Sequence, residues 1–182
     1  MIYGIKSKSV VENKFEINKS KIDGNGALAL KPIKKGELIC RMRGEEISIS
    51  ELKKRHEIGR ERLCDPLQVR ESRFLDLFEP YVYINHSCES NAAIVKFNEL
   101  IAIKDIGIGE EITYDYSLTE WSNDKSRLGH DDWSMECNCK SPLCRGKIRE
   151  FRFLPKNIQE KYVKQRLVQD HIIRKYKKCY EE

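Results

Sequence analysis

The sequence predicts a mainly β chain with some helix, on three observations. Short apolar–polar alternations, each stopped by a Gly-, Asn- or Pro-containing turn, recur through the first two thirds. Three cysteines crowd a short polar loop near residue 140, and beyond it apolar residues return at helical spacing. With 182 residues, 40% of them hydrophobic and 35% charged, and with 8 Tyr, 6 Phe and 2 Trp, the chain can bury one core plus a small appendage. That composition excludes a multidomain machine, a fibrous chain and a disordered one.

In chain order, residues 14–17 alternate as in a half-buried strand until Asp23-Gly24-Asn25-Gly26 breaks the pattern. Residues 27–30 resume as a strand, the stretch from Pro32 to Gly36 turns, and 38–41 and 46–49 read as two more short strands around Gly44. The segment bounded by 48–79 differs. Ser50 is placed as an N-cap ahead of Leu52-Lys53-Lys54-Arg55-His56, but apolar residues are too sparse for a face, which predicts a polar, partly helical insertion. Strand character returns at 80–84, 92–97, 100–103 and 112–116. Residues 118–133 read as a polar, mobile connector and 134–150 as the cysteine loop. Pro155 suits a first helical turn, and Ile158, Tyr162, Val163, Leu167, Val168, Ile172 and Tyr176 predict one amphipathic helix within 151–182.

The 34 Lys and Arg outweigh 29 Asp and Glu by +5, and the excess is uneven: residues 145–182 carry +7 and the rest −2. A basic C-terminal face suits weak contact with an acidic partner or nucleic acid, although a solvated helix surface has the same composition. No run approaches the roughly 20 apolar residues of a membrane span, and the N-terminus lacks the apolar stretch of a signal peptide. The expectation is a soluble protein in a reducing intracellular space, with no membrane partner. There, seven cysteines, three of them clustered, favour metal ligation over disulfides.

Four local signals carry chemistry. Cys137-Asn138-Cys139 and Cys144 place three soft ligands on one loop; a tetrahedral zinc site needs a fourth, for which Cys88 is the best candidate. Asn85-His86-Ser87-Cys88 follows an apolar segment, and if Cys88 joins the late cysteines, Asn85 and His86 lie where distant segments meet. Gly24-Asn25-Gly26 exposes main chain that a ligand can approach closely, as would a plain hairpin turn. In residues 109–116, Tyr114 and Tyr116 are two positions apart, so on a strand both rings face one side, whether as channel walls or as ordinary strand aromatics.

Taken together and in order, these segments resemble the SET-domain family of protein lysine methyltransferases with its post-SET zinc loop. Gly44-Glu45, Asn91 and Cys144-Arg145-Gly146 extend the match across residues 24–146. The resemblance implies a SET-domain fold of several small sheets around a pseudoknot with a post-SET zinc loop, to which the periodicity adds the C-terminal amphipathic helix. It implies S-adenosylmethionine as methyl donor, held by Gly24, Asn25, Gly26, Asn85 and His86, and structural zinc held by Cys88, Cys137, Cys139 and Cys144. Tyr116 looks like the tyrosine at the methyl-transfer centre, and Tyr114 occupies the position that influences how many methyls are added, which implies mono- or dimethylation. The substrate so implied is a protein presenting a lysine, a histone or another basic protein; oligomeric state is left open.

Three residues depart from the family's pattern. Met42 stands where a tyrosine is common, Val82 where an arginine often precedes the Asn-His pair, and Ser90 where proline is usual. Met42 and Val82 leave a second reading open, a catalytically silent SET-like zinc module that binds protein or nucleic acid. A zinc-dependent nucleic-acid binder is the third, and the cysteine spacing lacks the paired histidines of a finger.

Overall fold

A computed structural model describes residues 14–59, 65–121 and 134–180. Four small antiparallel sheets form its frame. The first joins β1 (Phe15–Lys19), β2 (Asn25–Ala29) and β9 (Glu111–Ile112) in the order β1-β2-β9. The second orders β3 (Leu38–Arg41), β8 (Glu99–Ala102) and β7 (Ala92–Val95) as β3-β8-β7, and the third orders β4 (Gly44–Ser48), β6 (Arg73–Leu77) and β5 (Leu67–Arg70) as β4-β6-β5. The fourth is the ribbon of β10 (Ser134–Glu136) and β11 (Lys147–Arg149). Ile39, Met42, Ile94, Leu100, Ile106 and Ile112 are fully buried where the first two sheets meet. Each such side chain contributes about 1.5–3 kcal/mol of transfer free energy.

The insertion holds the first helix, α1 (Ile49–Glu57), but its cap is Ser48, whose Oγ accepts from Glu51 N–H at 3.2 Å, and not Ser50. Arg55, 5% exposed, turns back from α1 onto Glu45, Glu51 and Asp76. The same segment contains the hairpin β5–β6, which the sequence pattern does not resolve as strands. Its polar positions hide the alternation. Gln68 is fully buried because its side chain is satisfied by main chain, accepting from distant Trp121 N–H at 2.9 Å and donating to Glu71 O at 3.1 Å.

Two further expectations are corrected. Residues 80–84 are not a strand: from Pro80 the chain makes a 3₁₀ turn, Tyr81–Tyr83, with Tyr81 N–H on Phe78 O at 2.9 Å and Ile84 N–H on Tyr81 O at 3.2 Å. The single C-terminal helix is two, α2 (Lys156–Lys164) and α3 (Asp170–Tyr180). Arg166 sits at φ +55°, Leu167 N–H reaches back to Tyr162 O and Arg166 N–H to Val163 O, a helix-ending motif made without the glycine that normally advertises it. Apolar spacing runs on through the break, so periodicity alone could not reveal it.

Residues 118–121, expected as the start of a connector, are core. Leu118 and Trp121 pack with Phe151, Tyr162, Ile172 and Tyr176 in a second cluster that seats α2 and α3. The rest of that expected connector, 122–133, lies outside the described residues. Among the described residues, no helix is long and apolar enough to cross a membrane.

Candidate active site

The turn before β2 is held open by side chains from two other segments. Gly24 lies at φ +47°, and a Cβ on Gly26 would fall inside contact distance of the Glu111 carboxylate. Ser20 Oγ donates to Glu111 Oε1 at 2.8 Å and accepts from the N–H groups of Ile22 and Asp23. The Asn85 amide reaches Asn25 O at 2.9 Å, Asp23 O at 3.1 Å and Glu111 Oε1 at 2.8 Å. Asn85 thus braces the turn at 24–26. Glu111, not among the residues singled out from sequence, holds Ser20 and Asn85 at once; a carboxylate opening a two-residue strand gives no pattern by which to find it.

Residues 85–92 are laced to residues 111–116. Ser87 N–H bonds Tyr114 O, Tyr114 N–H bonds Asn85 O, and Ala92 N–H bonds Thr113 O at 3.3, 3.2 and 2.9 Å. Asn91 locks the crossing, donating to Glu111 O at 2.9 Å and accepting from Thr113 N–H at 2.9 Å. This lacing carries His86, 5% exposed, behind Tyr116: its Nδ1 accepts Tyr116 N–H at 3.2 Å, so the proton resides on Nε2, which faces Cys88 Sγ at 3.3 Å. Burial holds the imidazole at about 4 against the pull of Asp115, and the ring is neutral.

Tyr114 and Tyr116 do share one side, although β9 ends at Ile112 and Tyr116 opens a 3₁₀ turn, Tyr116–Leu118. Their ring centroids are 4.7 Å apart, and Tyr116 stands 5.3 Å from His86. The Tyr116 hydroxyl donates to Ile84 O at 2.9 Å. Burial pushes the Tyr114 hydroxyl well above the ordinary tyrosine value, so it stays protonated. Both rings line an open cleft of about 150 Å³, walled also by Asn85, His86, Met135 and Asn138. Among the described residues its lining includes the carboxylates of Asp23, Asp65, Glu120 and Glu136 and neither Lys nor Arg; Glu120 accepts from Gln68 N–H and Glu136 pairs with Lys147 outside the lining.

The ribbon β10–β11 delivers the late cysteines to the rim of this cleft. Cys137 N–H bonds Gly146 O at 2.9 Å, which closes the loop between the strands, and the Glu89 carboxylate accepts from Ser141 Oγ, pinning the loop beside Cys88. Cys88 and Cys137 sulfurs lie 3.7 Å apart. Thiolates at about 2.3 Å from a tetrahedral zinc ion are separated by about 3.8 Å, so this spacing fits one shared ion. The ligand atoms of His86, Cys88, Cys137 and Cys139 all fall within 4.8 Å of one another, whereas Cys144, the expected fourth sulfur, is not in that group, its Sγ lying 4.0 Å from Cys137 O. Burial pushes the Cys88 thiol up to about 11, a cost that a bound dication removes. Arg145, also not among the expected site residues, donates its main-chain N–H to Cys88 Sγ and its guanidinium to Asp115.

Comparison with known proteins agrees with this geometry. Residues 24–117 match the family model described as the SET domain. The chain is 32% identical over 163 residues to the variant-silencing SET domain-containing protein of Plasmodium falciparum (isolate 3D7), an alignment covering 75% of this chain and 6% of that one. It is 28% identical over 177 residues to the probable histone-lysine N-methyltransferase set-23 of Caenorhabditis briggsae, covering 86% and 68%. In fold it is similar to the crystal structure of the methyltransferase domain of human histone-lysine N-methyltransferase SETMAR, with a TM-score of 0.57 and 23% identity over 77% of this chain and 59% of that one. The chain thus spans a small fraction of the Plasmodium relative and about two thirds of the nematode one.

Proposed function

The chain belongs to the SET-domain family, and on that premise we propose that it transfers a methyl group from S-adenosylmethionine to the ε-amine of a lysine in a protein substrate. The observation that carries the proposal is one acidic cleft in which Asp23, next to the glycine turn, meets a neutral buried histidine and two tyrosine rings tilted together at 4.7 Å. The relatives named as histone-lysine N-methyltransferases point to the same chemistry.

When bound, the donor supplies a methyl group activated on a sulfonium. The residues suited to hold it are Gly24, Asn25 and Gly26 through main chain, with Asn85 fixing that wall and His86 lining the cleft beside Tyr116. A cationic donor suits a lining of four carboxylates. Val82, 42% exposed, offers the donor's own carboxylate no charge, which is the feature favouring the silent module.

Exposed Asp23 draws in a basic segment, while the tyrosine walls exclude water and favour the neutral amine. That matters because free lysine, with a pKa near 10.4, is neutral in fewer than about one molecule in a thousand at pH 7. The Tyr116 hydroxyl, anchored on Ile84 O, acts as a fixed dipole and steric guide beside the amine. The substrate class we infer is a histone or other basic protein, with mono- or dimethylation as product.

Structural zinc is best assigned to Cys88, Cys137, Cys139 and Cys144. His86 competes for the fourth place by distance, but its Nε2 carries the proton while Nδ1 accepts from Tyr116, so it donates to the Cys88 sulfur instead of ligating. The basic C-terminal segment suits at most a weak contact with an acidic partner or nucleic acid, since Lys175 already bonds Trp121 O at 3.0 Å and pairs with Glu71.

Radiolabelled methyl transfer into histones and into total host protein, with mass-spectrometric mapping, tests the activity, and calorimetric titration with S-adenosylmethionine tests the donor site. Tyr116→Phe is expected to lower turnover by about 10²-fold with donor affinity retained. Wild-type turnover in that variant would rule out the dipole role of the Tyr116 hydroxyl, and donor binding without transfer to any lysine would favour the silent module.

A further inference from the structure

A second cavity, of about 710 Å³, is lined in part by Cys88 and shares no lining residue with the cleft of Tyr114 and Tyr116. It opens between β8, the cysteine loop and α2, and nothing in the proposed reaction uses it. Its volume falls within the roughly 300–1,000 Å³ typical of small-ligand pockets.

The chemistry of its lining is divided. Ile101, Ile103, Ile158 and Leu167 supply an apolar floor. Lys35, Lys104 and Lys161 stand around it, all exposed. Against these three ammonium groups stands one carboxylate in the lining, Glu89, which Ser141 and Leu143 N–H keep ionised and whose main-chain carbonyl accepts from Lys104 at 3.1 Å, while nearby Asp105 is held by Lys34. The balance at the rim is therefore positive. Arg145 adds no free charge, because Asp115 neutralises it.

Ser90 also lines this cavity. It is 2% exposed, and its hydroxyl has no hydrogen-bond partner among the described residues. A buried hydroxyl without a partner costs about 1–3 kcal/mol, so such groups ordinarily find one. This is the position where the sequence carries serine in place of the proline usual in the resemblance. Proline would offer no donor.

We propose that the cavity is a binding site for a small amphipathic anion, its apolar body on the isoleucine and leucine floor and its anionic head among the lysines and the Ser90 hydroxyl. A small molecule is favoured over a folded protein partner, because a stable protein interface spreads over about 800 Å² per side whereas this is a single concavity whose volume matches a small ligand. The proposal is independent of methyl transfer.

The test is calorimetric titration of the zinc-loaded full chain with decanoate at low salt, below its micellar concentration, with decan-1-ol and inorganic phosphate as companions. Decanoate is expected to bind saturably at one site, with decan-1-ol and phosphate each at least tenfold weaker. Lys104→Ala combined with Lys161→Ala changes only exposed side chains and is expected to weaken decanoate at least tenfold; Ser90→Pro is expected to weaken it severalfold. Equal affinity for decanoate and decan-1-ol, unsaturable uptake, or full affinity in the double lysine variant would overturn the assignment.

Discussion

Arg145 and Asp115 form a forked ion pair, Nη1 on Oδ2 at 2.8 Å and Nη2 on Oδ1 at 2.7 Å, with the carboxylate fully buried. Asp115 also caps the turn that begins at Tyr116, accepting from Ser117 N–H at 3.1 Å. One side chain therefore ties the cysteine loop to the tyrosine turn. Arg145→Lys keeps the charge but loses the fork. The expected result is a loss of roughly 2 kcal/mol in urea unfolding and about tenfold in methyl transfer, at unchanged zinc content. An unmoved midpoint would show that the fork is incidental.

Tyr114 is expected to limit the number of methyls. Tyr114 is 6% exposed beside Tyr116, and its protonated hydroxyl occupies space that a methylated amine would need. Mass spectrometry of product from Tyr114→Phe should show higher methylation states than wild type, with little change in the first transfer. The same distribution in both proteins would count against this role.

The four-sulfur site makes a prediction that separates the two contenders for its fourth ligand. Cys137→Ser and Cys144→Ser should each bring the zinc-to-protein ratio well below one and speed amide exchange in residues 137–146, because the loop then loses its anchor to Cys88. His86→Gln should retain zinc. Zinc lost with His86 but kept without Cys144 would transfer the fourth place to the imidazole.

Acid stability should depend on His171 at the start of α3. Burial, with smaller contributions from Lys175 and Arg174, lowers this imidazole to about 3 from its ordinary 6.5. A depressed value means that the folded protein takes up fewer protons than the unfolded chain, so the contribution is whole above pH 6.5 and shrinks as pH falls toward 3. Between pH 8 and pH 5.5 the cost is on the order of 1 kcal/mol. His171→Leu should flatten the pH dependence of unfolding by that amount relative to wild type; parallel curves for the two proteins would exclude it.

The contrast between what the chain pattern reveals and what it hides follows particular residues. Asn85, His86, Tyr114, Tyr116 and the late cysteines were legible because their chemistry is carried by neighbours in the chain, in a spacing few other sequences share. The β5–β6 hairpin was not, because Gln68 at a fully buried strand position looks polar until Trp121, 53 residues away, is placed against it. The break between α2 and α3 was hidden because Arg166 adopts a backbone conformation its residue type does not announce.

The amino-acid sequence by itself determined the cast of this protein: short strands between turns, a lone thiol at Cys88 awaiting three others, and a pair of tyrosines two positions apart. Tertiary structure alone decided the partnerships, including Glu111 beneath the glycine turn, the His86 proton directed at sulfur, the Arg145–Asp115 fork and the lysine-rimmed cavity beside Cys88. Local propensity acts over a few residues, whereas a buried polar group must find its partner wherever packing brings one, 30 residues away for Asp115 and 49 for Cys137.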